Sequence, residues 1–168
     1  MADIDLESVF SRRGGQRKVA EYLFKHGIAC DDDGCLLAGE LEVTHISVAK
    51  AVNVDRRVVK STIESILDDA DLRNIYASLS VTPSLRELAP VLGFGAIEII
   101  PSDAAGKGIV ASVTGVISDS GMGIRQVIAD DPMFVNAELT IVTEKPIPRS
   151  LIDRILEIEG VHKVVVLN

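Results

Sequence analysis

At 168 residues and 47% hydrophobic composition, the chain has apolar material for one domain or for two small ones near the lower size limit for independent folding. No apolar run approaches the roughly 20 residues of a membrane span, and the opening MADIDLESVF is acidic rather than a signal or transit sequence, so a cytoplasmic protein is expected. The formal charge of −8 excludes an indiscriminate nucleic-acid binder: residues 1–93 carry 11 Lys plus Arg against 15 Asp plus Glu, residues 94–168 carry 6 against 10, and each part is therefore −4.

Taken in chain order, Arg13-Gly14-Gly15 predicts a break, and Gln16 to His26 a helix with Val19, Ala20, Leu23 and Phe24 inward, stopped by Gly27. Asp33-Gly34 is a two-residue hairpin signal between Cys30 and Cys35, and the acidic run Asp31 to Asp33 reads as its solvated turn. That small hairpin is expected to form a wing beside the helices that follow. A metal site of His26, Cys30, Cys35 and His45 is conceivable by residue type, but the four-residue gap between the cysteines is not the close pair of structural zinc. The reading adopted is a reduced thiol pair, with no metal and no cofactor.

After the strand-like CLLAGELEV comes VTHISVAKAVNVDRRVVKSTIESI, where residue types fall as two short helices joined by a tight turn require. Thr44 can cap the first helix, and Val48, Ala49 and Val52 form its inward stripe. Asn53 tolerates the left-handed conformation that ends it. Asp55 can cap the second helix, with Val59, Thr62, Ile63 and Ile66 inward and Arg56, Arg57, Lys60, Ser61 and Glu64 outward. In a helix-turn-helix the second helix enters the major groove with its N-terminal residues against base edges. Thr44, Arg56, Arg57, Lys60 and Ser61 are therefore candidate DNA contacts, Arg for bidentate guanine recognition and Lys or Ser for phosphates. An ordinary helical hairpin with a solvated basic face has the same spacing. A DNA role needs Arg12, Arg13, Arg17, Lys18, Arg56, Arg57 and Lys60 gathered on one face.

A third helical pattern runs from Asp71 to Leu79, with Leu72, Ile75, Tyr76 and Leu79 on one side. Pro83 and Pro90 bracket a short connecting helix, SLRELA, and Gly93 and Gly95 mark a boundary. The expected division is thus 1–93, a winged helix-turn-helix with connecting helix, and 94–168.

From Phe94 onward, Ala96 to Ile100 reads as a strand, PSDAAGKG as a loop, and Ile109, Val113, Val116 and Ile117 as a helical stripe ending at Gly121. Gly123 to Ala129 alternates as a strand, with Ile124, Gln126 and Ile128 on one side and Arg125, Val127 and Ala129 on the other. Asp130-Asp131-Pro132 turns the chain, Leu139 to Thr143 is the third strand, Leu151, Ile152, Ile155 and Leu156 mark a helix closed by Gly160, and Lys163 to Leu167 is the last strand. This βαββαβ order is the ferredoxin-like split unit, so the fold class is α+β. The glycines of Ser102 to Gly108 leave amides uncovered at a helix N-terminus, where a carboxylate or phosphate can sit, and Asp103 can accept from an ammonium. Together these describe a cradle for a free amino acid; the plainer reading is a flexible loop.

The strand AIEII, the Asp and Gly of SDAAGKGIVASV, the helix end SDSGMGI and the closing IEGVHKVVVL make Ala96 to Asn168 resemble an ACT domain, with Lys107-Gly108 where that domain usually has Pro-Gly. Through VDRRVVKSTI, GIRQVIADDP and LTIVTEKPIP, the chain from about Arg17 onward resembles a family of predicted archaeal regulators of amino-acid metabolism that join a helix-turn-helix to an ACT domain. The resemblance implies a homodimer or higher oligomer, paired through edge strands, that binds an amino acid between one subunit's first loop and the neighbour's second strand. It implies Asp103, Gly106, Gly108 and Ile109 from the loop and Ile124 and Gln126 from the strand as ligand-binding residues, with Arg125 paired to a ligand carboxylate or to Asp130. The expected function is ligand-responsive transcriptional regulation with double-stranded DNA as partner. The alternative is an amino-acid-sensing module that regulates an enzyme without binding DNA. A catalyst is not expected, because the histidines at 26, 45 and 162 and the cysteines place no nucleophile beside a base by any recognisable motif.

Overall fold

The computed structural model of the chain describes residues 9, 10 and 13–167; Arg12 and the acidic opening residues 1–8 lie outside them. It is a mixed α and β protein that divides at Thr82/Pro83 into two compact units, so residues 83–93 go with the second. Among the described residues no helix is long and apolar enough to cross a membrane.

The first unit contains α1 (Gly14–Lys25), the short strands β1 (Ala29–Cys30), β2 (Leu36–Ala38) and β3 (Leu41–Val43), then α2 (His45–Val52), α3 (Arg56–Asp68) and α4 (Ala70–Ala77). Gly14 and Gly15 do not break the chain but open α1. The physical reason is proximity: a Cβ on Gly15 would lie 3.2 Å from Val58 Cγ1, so the missing side chain lets α1 approach α3. CLLAGELEV is two strands, and the sheet is a three-stranded antiparallel meander β1-β2-β3 where the sequence predicted one hairpin. Val19, Ala20 and Leu23 of α1 are buried, as are Val48 and Ala49 of α2, Val59, Ile63 and Ile66 of α3, and Leu72 and Tyr76 of α4. Tyr76 satisfies its buried hydroxyl by donating to the Ala20 carbonyl at 3.0 Å.

The second unit has β4 (Gly95–Pro101), α5 (Ile109–Asp119), β5 (Ile124–Ala129), β6 (Leu139–Thr143), α6 (Arg149–Leu156) and β7 (Val161–Leu167). All pairings are antiparallel, in the order β5-β6-β4-β7, which leaves β5 and β7 as edges. One sheet face packs on the helices: Ile97, Ile99, Leu139 and Ile141 meet Ile109, Val113, Ile117, Leu151 and Ile155. The other carries Ala96 and Val142, covered by Leu85, Ala89 and Phe94. The predicted connecting helix SLRELA is instead a run of turns with one α-type bond, Ala89 N–H to Leu85 O at 2.8 Å, leading into a 3-10 turn at Pro90–Leu92. Proline at 90 lacks the N–H that would propagate a helix.

Strand β5 departs from simple alternation. Ile124 lies opposite Thr143 and Gln126 opposite Val142, so two residues on β5 span one step of β6. This β-bulge puts Ile124 and Gln126 on opposite faces, because side-chain facing has period 2 and one extra residue inverts it. Ile124 packs on the helix-side core, whereas Gln126 stands beside Val142 on the other face.

Candidate functional site

The α2–α3 pair forms as its residue types dictate. The Thr44 side chain accepts from Ser47 N–H at 3.2 Å, and the Asp55 carboxylate accepts from Arg57 N–H at 2.8 Å. Asn53 ends α2 with φ 55, the one positive φ outside glycine among the described residues. Val59, Thr62, Ile63 and Ile66 are buried, and Arg56, Arg57 and Lys60 stand exposed on the first turn and a half of α3. Lys60 reaches Glu64 at 3.6 Å in an exposed pair, an interaction of small energetic weight.

Ser61 on this helix and Arg13, ahead of α1, are otherwise occupied. Ser61 is half-buried, accepts from Gln16 Nε2 at 2.8 Å and donates to Val58 O at 3.0 Å, which makes it part of the seam between α1 and α3. Arg13 donates to Ser65 Oγ at 3.4 Å, about 13 Å along α3 from Arg56 at 1.5 Å per residue. It therefore does not join a cluster around the start of α3, and Arg17 lies against Glu21 at 3.4 Å on α1. The β2–β3 tip carries exposed Glu40, Leu41 and Glu42 rather than cations.

The thiols are poorly suited to nucleophilic work. Burial, then the charge of Asp31, pushes Cys30 up to about 11; for Cys35 the Asp31 carboxylate is the larger cause of an upward shift. Among the described residues no three His, Cys, Asp or Glu side chains gather as a metal site.

In the second unit, Asp103, Gly106, Gly108 and Ile109 line one pocket of about 420 Å³, together with Ser102, Lys107, Ser112, Ile158, Glu159 and Gly160. Gly108 takes φ 92 at the start of α5, and no side chain caps that helix, so its first amides, beside the pocket, have no side-chain acceptor. One Asp103 oxygen accepts from Ala105 N–H at 3.0 Å, and Gly106 N–H donates to Asp103 O at 3.1 Å, two bonds that close a turn within the loop. Lys107 supplies a cation, while Asp103 and Glu159 supply two carboxylates.

Glu159 and Gly160 were missed from the sequence, though topology holds the signal. The last strand of a βαββαβ unit lies beside the first, so the turn before β7 must abut the loop after β4; here Ser102 N–H donates to Gly160 O at 2.9 Å. The two β5 candidates do not join this pocket. Ile124 faces the helix-side core, and the Gln126 amide is engaged at both ends, accepting from Leu85 N–H and donating to Pro83 O, each at 2.8 Å. Arg125, expected on a ligand carboxylate or Asp130, lies 4.2 Å over the Phe94 ring, a cation–π contact. The bulge explains both results, since it turns Arg125 and Gln126 toward the same side.

No protein-family model matches the chain, and no curated protein matches it in sequence. Among solved structures, it is similar to the ACT domain of the GTP pyrophosphokinase of Chlorobium tepidum, at 22% identity over 44% of this chain and 96% of that one, with a TM-score of 0.36. It is also similar to a transcriptional regulatory protein of the AsnC family from Pyrococcus furiosus, at 11% identity over 90% of this chain and 85% of that one, with a TM-score of 0.26. Likenesses of that size carry no argument about what this chain binds.

Proposed function

We propose that the chain is a ligand-responsive regulator, its first unit a winged helix-turn-helix that docks on double-stranded DNA and its second an ACT-type domain that senses a free amino acid. The observation that carries this reading is the gathering of Asp103, Gly106, Gly108 and Ile109 in one pocket at the uncapped start of α5. A zwitterion matches it chemically. Its carboxylate suits the helix N-terminus and Lys107, and its ammonium suits Asp103 or Glu159. Pairing of a second copy at the open β5 edge is the mode that the ACT resemblance implies. Dimerisation also gives two reading helices the spacing of about 34 Å, or a multiple, that successive major grooves require.

A thermal-shift series against the twenty amino acids tests the sensing role, because a ligand that binds only the folded state raises Tm. One or a few should raise it at millimolar concentration, and no response from any would reject the pocket as an amino-acid site. For the DNA role, Arg56→Ala and Arg57→Ala should each weaken specific binding by about 1–3 kcal/mol without unfolding the protein. Gel-shift titrations indistinguishable from wild type would reject those contacts.

The second reading is an amino-acid sensor whose helical unit contacts a protein. Specific observations favour it: the charge of −8, the acidic β2–β3 tip with Leu41 75% exposed, and the engagement of Ser61 and Arg13 away from the start of α3. A pull-down that recovers an enzyme while selected DNA fragments show no salt-dependent binding would decide for it.

A further inference from the structure

The segment Pro83–Gly93 lies on the sheet face opposite the helices, and what holds it differs from what holds the rest of the second unit. Among its described residues only Ala89 is fully buried, while Leu88, Val91 and Leu92 are exposed. It is fixed by a small apolar contact, Leu85 and Ala89 over Ala96 and Val142, and by polar contacts from named points on two strands. Gln126 of β5 clamps the backbone at two places, taking Leu85 N–H and giving its amide hydrogen to Pro83 O. Glu98 of β4 is 6% exposed beneath the segment and pairs with the Arg86 guanidinium, whose side chain remains 39% exposed. At the far end, Arg125 lies over Phe94.

A segment attached by a few polar contacts and one small apolar cluster, with Leu88, Val91 and Leu92 left exposed, belongs to the part of a fold that opens before the larger core does. We propose that Pro83–Gly93 is a releasable strap, locked by Gln126 and by the Arg86–Glu98 pair, that sets the length of chain linking the two units. Closed, the strap leaves the second unit beginning at Pro83, where the first unit ends. Open, it becomes a tether, adding up to roughly 35 Å of extended chain at about 3.3 Å per residue. The bulge in β5 is the setting of the lock, because it accommodates Arg125 and so keeps Gln126 toward the strap face; drawing Arg125 into regular pairing would shift the register and turn Gln126 away. The strap is independent of what the pocket binds, so its test and that of the sensing role fail separately.

Hydrogen exchange on the full chain reads the lock directly. In Gln126→Ala and Glu98→Gln, the Leu85 and Ala89 amides should exchange about tenfold faster or more, as expected for loss of the contacts that close a local unit. Ile97 and Ile141 amides, within the sheet, should keep their wild-type rates. Brief trypsin treatment should cut after Arg86 faster in Gln126→Ala, and small-angle scattering should give a larger maximum dimension. Should Gln126→Ala not fold, Gln126→Glu keeps the acceptor for Leu85 N–H and loses the donor to Pro83 O, and is expected to give an intermediate rate. Unchanged exchange at Leu85 would overturn the lock. Acceleration across the sheet in parallel would make the strap an inseparable part of the fold, and faster exchange with unchanged dimensions would overturn its role as a tether.

Discussion

The turn between α2 and α3 and the bulge in β5 are both one-residue departures from regular structure, and each decides where functional side chains point. At Asn53 the departure is written in residue type: Asn tolerates φ 55, Thr44 and Asp55 cap on either side, and the helix faces follow from there. In the bulge nothing local marks the extra residue. Ile-Arg-Gln-Val alternates as well as any strand, and only pairing with Thr143 and Val142 reveals that Arg125 is supernumerary. Irregularity imposed by backbone chemistry can be read from one segment; irregularity imposed by a neighbouring strand cannot.

The largest effects test whether the two regions rest on separate cores. Ile66, in the first unit, and Ile141, in the second, are both fully buried. Ile→Ala at either should cost about 2–5 kcal/mol, and in calorimetry each should lower only its own unit's transition. If Ile66→Ala and Ile141→Ala shift one common transition equally, the units unfold together and must be treated as one body.

This division explains what was legible. The inward set Val48, Ala49, Val59, Thr62, Ile63 and Ile66 is buried as helical spacing predicts, and β6 spans Leu139–Thr143 as its run of apolar and Thr residues predicts. The residues on the loop side of the pocket are named from Asp and Gly before a helix, types that turns and caps also favour, and the structure shows that they line one pocket. For Ser61, helical periodicity gives an outward direction but not the neighbour that meets it, here Gln16 of α1. Arg86 and Glu98 escaped notice because they are twelve positions apart on elements whose contact depends on how the strap crosses the sheet.

At the α2–α3 turn, Asn53→Val should cost roughly 1–3 kcal/mol, since a β-branched side chain is strained at positive φ. Asn53→Gly should be near neutral there. Chemical denaturation of both variants would show it, and equal losses would mean that the Asn side chain rather than its backbone conformation matters.

A conditional effect belongs to the buried thiol. Cys30 is raised from an ordinary 9.0 to about 11 by burial, so the folded state keeps it neutral where the unfolded chain ionises it. Its contribution is therefore whole below pH 9 and disappears between pH 9 and about 11. Tyr76, raised by the same cause from 10.0, adds a loss that begins one unit higher. The first unit's Tm should stay level to about pH 8.5 and then fall, with a shallower fall in Cys30→Ala, where Cys35, also shifted upward, still contributes. A fall as steep in that variant as in the wild type would remove Cys30 from the account.

The smallest effect is expected from the most drastic-looking change, deletion of Arg125. Removing one residue from the middle of a strand ordinarily inverts the facing of everything beyond it. Here the deletion leaves Ile124 opposite Thr143 and Gln126 opposite Val142, now as consecutive residues in regular alternation, so Ile124 keeps the helix-side core and Gln126 keeps its hold on Pro83 and Leu85. What is lost is the contact of Arg125 with the Phe94 ring, worth about 0.5–1 kcal/mol at an exposed site. The variant should fold with a stability loss of that size and with Leu85 as protected from exchange as in the wild type. If the deletion instead frees Leu85, the bulge holds Gln126 through its local twist and not through register alone.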